Sequence, residues 1–223
     1  TTPAELEIGR TDDPSVHHVG PMIHAPDVEH RVATPDVRRW QAFQRQANDS
    51  GRPIVYCSLG TLNRDLAKRV RNVVDASTAA DWSLVVGLGG RARADDLGPI
   101  PDNVLILEYA PQLDVLAAAS LAVVHGGINT INECLWAGVP MVVHRSGRVD
   151  QPGNASRVEH HRLGVRVDLD DGPDDVGRAI RQVMNDPDLD DNVARMRAAT
   201  DAYRGVLEQL IDDMIGSGHE RDA

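Results

Sequence analysis

The sequence predicts an α/β protein whose core is a six-stranded parallel sheet with helices on both faces. Two observations support this prediction. Short apolar runs alternate with helix-like patterns from Pro53 onward, which is typical of strand–helix–strand units. The runs are continuously apolar rather than alternating, as in strands that are buried on both faces. The length of 223 residues suits one substantial domain with a core of this kind.

The predicted elements follow one another in a regular order. Strands are predicted at residues 54–57, 83–86, 104–107, 121–124, 140–143 and 165–167. Helices are predicted at residues 62–79, 113–119, 129–137, 154–161, 173–184 and 190–215. Right-handed crossovers between parallel strands make this a doubly wound, Rossmann-like sheet.

The chain divides into three predicted parts. Residues 1–50 are polar and contain proline, and we expect an interdomain linker and lead-in segment with a short strand at 16–21 and a helix at 36–48. Residues 51–215 form the Rossmann-like domain. Residues 216–223 contain two glycines and several charges, which predicts a flexible tail.

Composition excludes several classes of function. The 23 Lys and Arg against 34 Asp and Glu give a net charge of −11, which argues against nucleic-acid and anionic membrane partners. No apolar run approaches the roughly 20 residues that cross a bilayer, and no signal peptide is present, so we expect a cytoplasmic protein. The chain begins at Thr1 without an initiator Met, so we expect a fragment, a processed chain or a trimmed form of a longer protein. Cys57 and Cys134 lie in apolar stretches and are predicted to be reduced core thiols.

The loop after the fourth strand has the most informative sequence. It is His125-Gly126-Gly127-Ile128-Asn129-Thr130-Ile131-Asn132-Glu133. Two glycines after a buried strand let the backbone approach a ligand, and the next helix directs free N–H groups and its dipole at an anion. We therefore predict a phosphate site here, with His125 as a further donor. The alternative is a capping box, because Thr130 and Glu133 are three residues apart, which is the T-x-x-E spacing of that helix-start motif.

Three other strand-to-helix loops carry polar residues, and each has a plain structural alternative. The turn Ser58-Leu59-Gly60-Thr61 offers hydroxyls at a helix start, where Ser and Thr are also common caps. In Tyr109-Ala110-Pro111-Gln112, the Tyr could stack on a nucleobase while backbone groups pair with the base edge, or it could simply pack at a strand end. Asp150-Gln151 could bind sugar hydroxyls, or form an ordinary loop or helix cap.

Other chemistries are disfavoured by spacing. The glycines in Gly87-Leu88-Gly89-Gly90 follow the second strand and lack the rest of a dinucleotide fingerprint, which argues against a dehydrogenase. The pairs His17-His18 and His160-His161 have no carboxylate at matching spacing, so we expect no metal site. No nucleophile elbow of a covalent hydrolase is present.

Taken together, residues 104–151 resemble the donor-sugar signature of family 1 glycosyltransferases, the UDP-glucuronosyl- and glucosyltransferase-like enzymes with the two-domain B fold. This family includes bacterial natural-product and antibiotic glycosyltransferases. The matching residues are Tyr109, Pro111, Gln112, His125, Gly127, Thr130, Glu133, Gly138, Pro140, Asp150 and Gln151. The turn at 58–61 and Val19-Gly20-Pro21 also fit, so the chain resembles the C-terminal, donor-binding half of such an enzyme.

The resemblance implies a role for each matching residue. Tyr109 stacks on the nucleobase, the Ala110 backbone meets the base edge, Gln112 lies near the ribose and Glu133 holds ribose hydroxyls. The implied diphosphate ligands are His125, Asn129 and Thr130, with Ser58 and Thr61 nearby, and the implied sugar contacts are Asp150 and Gln151. Gly126 and Gly127 also belong to the predicted donor-binding set. His125 is also implied to stabilise the departing diphosphate.

The resemblance further implies an inverting transfer from a UDP- or dTDP-hexose, without metal or cofactor, to a small apolar natural product. The general base lies in the family's N-terminal acceptor-binding domain, so this chain alone is expected to be inactive until that domain is supplied in cis or in trans. Two departures concern the sugar: the stretch from Gly138 to Gln151 has 14 residues, one more than the family pattern, and its customary Pro is absent.

Two other functions remain open at this point. One is a UDP-sugar epimerase or an N-acetylglucosaminyl transferase of the same fold. The other is a non-catalytic nucleotide-binding half of a two-chain complex.

Overall fold

A six-stranded parallel sheet lies at the centre of the computed structural model, which describes residues 2–9, 13, 15–23, 34–60, 66–90, 92–144, 150–168 and 170–219. The strands are β1 Ile54–Ser58, β2 Ser83–Gly87, β3 Val104–Leu107, β4 Leu121–Val124, β5 Met141–His144 and β6 Gly164–Val167. Their order is β3-β2-β1-β4-β5-β6, and every pairing is parallel. The doubly wound sheet predicted from the sequence is therefore confirmed.

Helices cover both faces of this sheet. They are α1 Pro35–Ser50, α2 Leu66–Ala76, α3 Gln112–Leu116, α4 Ile128–Ala137, α5 Gln151–His160, α6 Pro173–Met184, α7 Pro187–Asp201 and α8 Val206–His219. Short 3₁₀ turns lie at Ala4–Leu6 and Ala94–Leu97. None of the helices in the described parts of the chain has both the length and the apolar character that crossing a bilayer requires.

Two hydrophobic clusters lie on opposite faces of the sheet. Because successive side chains of a strand point to opposite faces, Tyr56 joins the cluster beneath α1, α4, α5 and α7, whereas Val55 and Cys57 join the cluster beneath α2 and α6. Cys57 and Cys134 are free and buried, as predicted. Burial raises the pKa of the Cys57 thiol to about 12, so this thiol stays protonated.

Two local predictions were wrong. No strand forms within the described residues 15–23, because this segment packs against the end of α7, where Tyr203 lies over Gly20. The helix predicted at 190–215 is two helices separated by a turn. Tyr203 lies in that turn, and its hydroxyl accepts the Ala4 N–H at 3.0 Å. This long-range contact favours the interruption of the helix between α7 and α8.

Both ends of the described chain contain helical structure. Helix α8 continues to His219, past Gly216, where we expected the tail to begin; residues 220–223 lie outside the described part. Leu6, in the predicted lead-in segment, is fully buried in the core. The predicted division of the chain at residue 50 stays a prediction.

The strand order locates the place to look for a ligand. Strands β1 and β4 are neighbours, and the chain runs outward from them in opposite directions to β3 and to β6. In open α/β sheets, ligands bind beyond the carboxyl ends of the strands at such a switch point. The loops after β1 and β4 therefore form the candidate site.

Candidate nucleotide-binding site

The His125 ring lies between two glycines at the switch point. A Cβ at Gly60 would lie 2.9 Å from His125 Nε2, and a Cβ at Gly127 would overlap the same atom. Gly60 also has φ of +73°, a left-handed conformation that side chains disfavour. The glycines that the sequence places after β1 and β4 thus make room for the histidine, and Nε2 faces both loops.

The hydrogen bonding of His125 determines which nitrogen carries a proton. Nδ1 lies 3.4 Å from the Ser58 carbonyl oxygen, and a carbonyl only accepts, so Nδ1 donates. Burial lowers the pKa of His125, while the Ser58 carbonyl and Asp150 act in the opposite direction. The ring is therefore neutral near pH 7, and Nε2 presents a lone pair to the site. A phosphate oxygen at this position would favour protonation of the ring.

The start of α4 is open to an anion. Its N-cap is Gly127, which makes no side-chain cap hydrogen bond. Thr130 is the third residue of the helix rather than the cap, so the capping-box alternative is wrong. Asn129 is exposed in the first turn, whereas Thr130 is only 8% exposed. The first N–H groups of α4 are thus free of a side-chain cap and face the carboxyl edge of the sheet.

Gln112 and Glu133 form one polar pair beside the helix start. Gln112 Nε2 donates to the Glu133 carboxylate, and the Tyr56 hydroxyl donates to Gln112 Oε1 at 2.9 Å. Burial raises the pKa of Glu133, and the Gln112 hydrogen bond opposes this effect. The residues that the sequence assigned to a ribose are therefore in contact with each other. A groove of about 210 Å³ adjoins Glu133 and Asn129, with Pro21, Met22 and Ile23 as its other wall.

Tyr109 presents an exposed aromatic ring after β3. It is 64% exposed, and its hydroxyl lies against Gly90 in the loop after β2. Its backbone N–H donates to Asp36 Oδ2 at 2.8 Å, which ties the loop to the start of α1. Ala110 is half-buried beside Gly87. The ring is thus available for stacking, and a cavity of about 660 Å³ lined partly by Asp36, Gly90 and Glu108 lies beside it.

The start of α5 has one exposed and one buried polar residue. Asp150 is exposed, while Gln151 is 8% exposed and lies against Gly126. Gln151 Oε1 is buried and, within the described structure, makes no hydrogen bond. Asn154 donates to the Gly126 carbonyl oxygen at 2.9 Å, which fixes the peptide at the end of β4.

This anchor extends to the beginning of the chain. Arg157 donates to Asn154 Oδ1 at 3.0 Å and, through Nε, to Glu7 Oε2 at 3.1 Å. The N-terminal segment therefore supports the glycine loop through α5.

Some predicted positions fall outside the described residues or outside the candidate site. Thr61 and the loop at 145–149 are outside the described residues. The His160 and His161 rings contact each other edge to face, with centroids 4.9 Å apart. In the described parts of the chain, His, Cys, Asp and Glu form no group of three or more that could hold a metal ion.

Three residues of the site were missed by the sequence analysis. Tyr56 orients Gln112, Asn154 holds Gly126, and Asp36 holds the Tyr109 backbone. For Tyr56 the sequence does contain a signal, because it is a hydroxyl-bearing residue within an apolar strand. The other two are ordinary polar residues of helices, and only the fold shows what they bond.

The chain was compared with protein families and with known proteins. Residues 6–201 match the family described as UDP-glucoronosyl and UDP-glucosyl transferase. The demethyllactenocin mycarosyltransferase of Streptomyces fradiae is 37% identical over 134 residues, which is 60% of this chain and 26% of that protein. The chain spans less than half the length of such relatives, for example 47% of the zeaxanthin glucosyltransferase of Pantoea ananas, with which it is 26% identical over 219 residues.

Solved structures show the same likeness. The glycotransferase of kitacinnamycin is 32% identical with a TM-score of 0.67, over 74% of this chain and 43% of that one. Os79 from O. sativa, in complex with UDP, is 28% identical with a TM-score of 0.58, over 66% of this chain and 36% of that one. The family match covers most of the chain and the fold agrees with it, so the chain belongs to the UDP-glucoronosyl and UDP-glucosyl transferase family.

Proposed function

We propose that this chain is the donor-binding part of an inverting, metal-independent glycosyltransferase that uses a UDP- or dTDP-hexose. The observation that carries the proposal is the order of polar groups along one edge of the sheet. Tyr109 follows β3, Ser58 is the last residue of β1, His125 follows β4, and Asp150 follows β5. A nucleotide sugar has the same order of base, ribose, phosphates and sugar. The structure of Os79 with UDP, from a relative of this chain, supports a uridine nucleotide.

The chemistry we propose is direct displacement at the anomeric carbon. The acceptor oxygen forms a bond to that carbon while the bond to the diphosphate breaks, and negative charge moves onto the diphosphate. The start of α4 would stabilise this charge through its N–H groups and dipole, and protonated His125 would add a hydrogen bond. These groups supply the electrostatic stabilisation for which some transferases use a metal ion.

Two further parts of the reaction, acceptor binding and general-base catalysis, would be supplied from outside this chain. The acceptor would be a small apolar natural product held by an N-terminal domain, together with the general base. Support comes from the relatives, which include the oleandomycin glycosyltransferase of Streptomyces antibioticus, 28% identical over 172 residues. We therefore expect this chain to bind the donor nucleotide without catalysing transfer.

Titration calorimetry with UDP and UMP, in buffer containing EDTA, tests the donor assignment. We expect UDP to bind more tightly than UMP, because the second phosphate reaches the start of α4 and His125. Equal affinities for the two nucleotides, or binding that appears only with Mg²⁺, would contradict the assignment.

A further inference from the structure

Three polar side chains from three elements form a connected set beside the nucleotide site. Tyr56 lies in β1, Gln112 begins α3, and Glu133 lies in the second turn of α4. We propose that Tyr56 is a positioning residue, whose hydroxyl orients the Gln112 amide so that the amide holds the Glu133 carboxylate toward the ribose. This inference rests on the proposed function, because it assigns the ribose to Glu133.

The donors and acceptors of the set allow one consistent arrangement. An ionised carboxylate only accepts, so Gln112 must direct Nε2 toward Glu133. Gln112 Oε1 then faces Tyr56, at 2.9 Å, and the phenol must donate. Gln112 thereby occupies Glu133 Oε2, and Oε1 is the oxygen that our proposal assigns to the ribose hydroxyls.

Burial fixes the Tyr56 end of this arrangement. Tyr56 is 1% exposed, and a Cβ at Gly87 would lie 2.9 Å from its hydroxyl oxygen and 3.1 Å from the Ala110 Cβ. Gly87 thus leaves the space that the hydroxyl fills. A buried hydroxyl destabilises the fold unless it is hydrogen-bonded, and the Tyr56 hydroxyl is bonded to Gln112 and to the side chain of Ser58.

The protonation states are consistent with these directions of donation. Burial raises the pKa of Tyr56, so the phenol remains a donor at neutral pH. Burial also raises the pKa of Glu133, and the hydrogen bond from Gln112 opposes that rise. Gln112 therefore favours the ionised form of the carboxylate, which is the stronger acceptor for ribose hydroxyls.

The test compares UDP with 2′,3′-dideoxy-UDP by calorimetry on the full chain carrying Tyr56→Phe. We expect UDP binding to weaken about 2- to 10-fold, the effect of one hydrogen bond, while dideoxy-UDP binding stays unchanged. Glu133→Gln serves as a comparison and should weaken UDP binding about 5- to 30-fold with the same selectivity. Tyr203→Phe is the matched control, since its hydroxyl bonds Ala4 and Glu5 instead, and it should leave both affinities unchanged.

A second variant tests the connection itself. Gln112→Leu should produce the same selective loss, and the double variant with Tyr56→Phe should lose little more than Gln112→Leu alone. The inference is overturned if the two losses add, or if Tyr56→Phe lowers the melting temperature but leaves the ratio of UDP to dideoxy-UDP affinity unchanged. It is also overturned if Gln112→Leu leaves the ratio of UDP to dideoxy-UDP affinity unchanged. This second variant provides the test if Tyr56→Phe does not fold. Failure of the wild-type chain to bind UDP would contradict the proposed function instead.

Discussion

His125 is placed to link the proposed binding of a nucleotide to the uptake of a proton. Its Nδ1 donates to the Ser58 carbonyl and its pKa is lowered by burial, so the free ring is neutral and Nε2 has no hydrogen to offer a phosphate. A diphosphate beside Nε2 would raise this pKa. We therefore expect UDP binding near pH 7 to take up a fraction of a proton at His125.

Calorimetry at pH 7.0 in two buffers of different ionisation enthalpy measures this uptake. His125→Gln retains a donor group but cannot be protonated, so it should reduce the uptake and weaken UDP binding about 2- to 10-fold. Comparing variant with wild type removes the contribution of the nucleotide's own phosphates. Equal proton uptake by both proteins would show that His125 does not become charged on binding.

At the scale of the element, the start of α4 combines an uncapped helix with the His125 ring. Gly127→Ala would place a Cβ onto His125 Nε2 and displace the ring. We expect UDP affinity to fall about 10-fold, the loss of a hydrogen bond to a charged group, while UMP affinity changes less. Calorimetry with the two nucleotides measures the difference.

Gly172→Ala is the matched control for this prediction. Gly172 is the N-cap of α6, and no atom lies within 4 Å of the position a Cβ would take. Both variants lose the same N-cap preference for glycine over alanine, so both should lower the free energy of unfolding by up to about 1 kcal/mol. If Gly172→Ala weakens UDP binding as much as Gly127→Ala does, the loss of affinity does not result from displacement of the His125 ring.

At the scale of the whole molecule, His144 should make stability depend on pH. It is 1% exposed at the end of β5, and neither ring nitrogen has a hydrogen-bond partner in the described structure. Burial, reinforced by Arg69 and opposed by Asp171, lowers its pKa to about 4. The unfolded chain, with an ordinary pKa near 6.5, binds a proton more readily, so stability falls as the pH drops from 6.5 toward 4.

Denaturant unfolding of wild type and His144→Leu at pH 7 and pH 5 measures this effect. From the difference in pKa, the wild type should lose about 2 kcal/mol more than the variant between these pH values. His125 and His161 also have lowered pKa values, but both proteins retain them, so their contributions cancel in the comparison. Parallel losses in the two proteins would mean that His144 is not the source.

The fold could be predicted, and the candidate site located, from local patterns in the sequence. Continuously apolar runs such as residues 121–124 must be buried on both faces, and glycines directly after them lie at the carboxyl edge whatever the strand order. The sequence therefore determined the parallel sheet, the glycine loop after β4 and the set of polar residues near it.

Only the tertiary structure decided which of those residues touch. Tyr56, Gln112 and Glu133 meet because α3 and α4 pack on the same face of the sheet as the Tyr56 side chain. The spacing of these residues along the chain does not indicate which face each helix covers. The burial of Leu6 and the break near Tyr203 likewise depend on segments almost 200 residues apart. Periodicity shows which side chains must leave water, whereas the partner of each polar group is determined by strand order and packing.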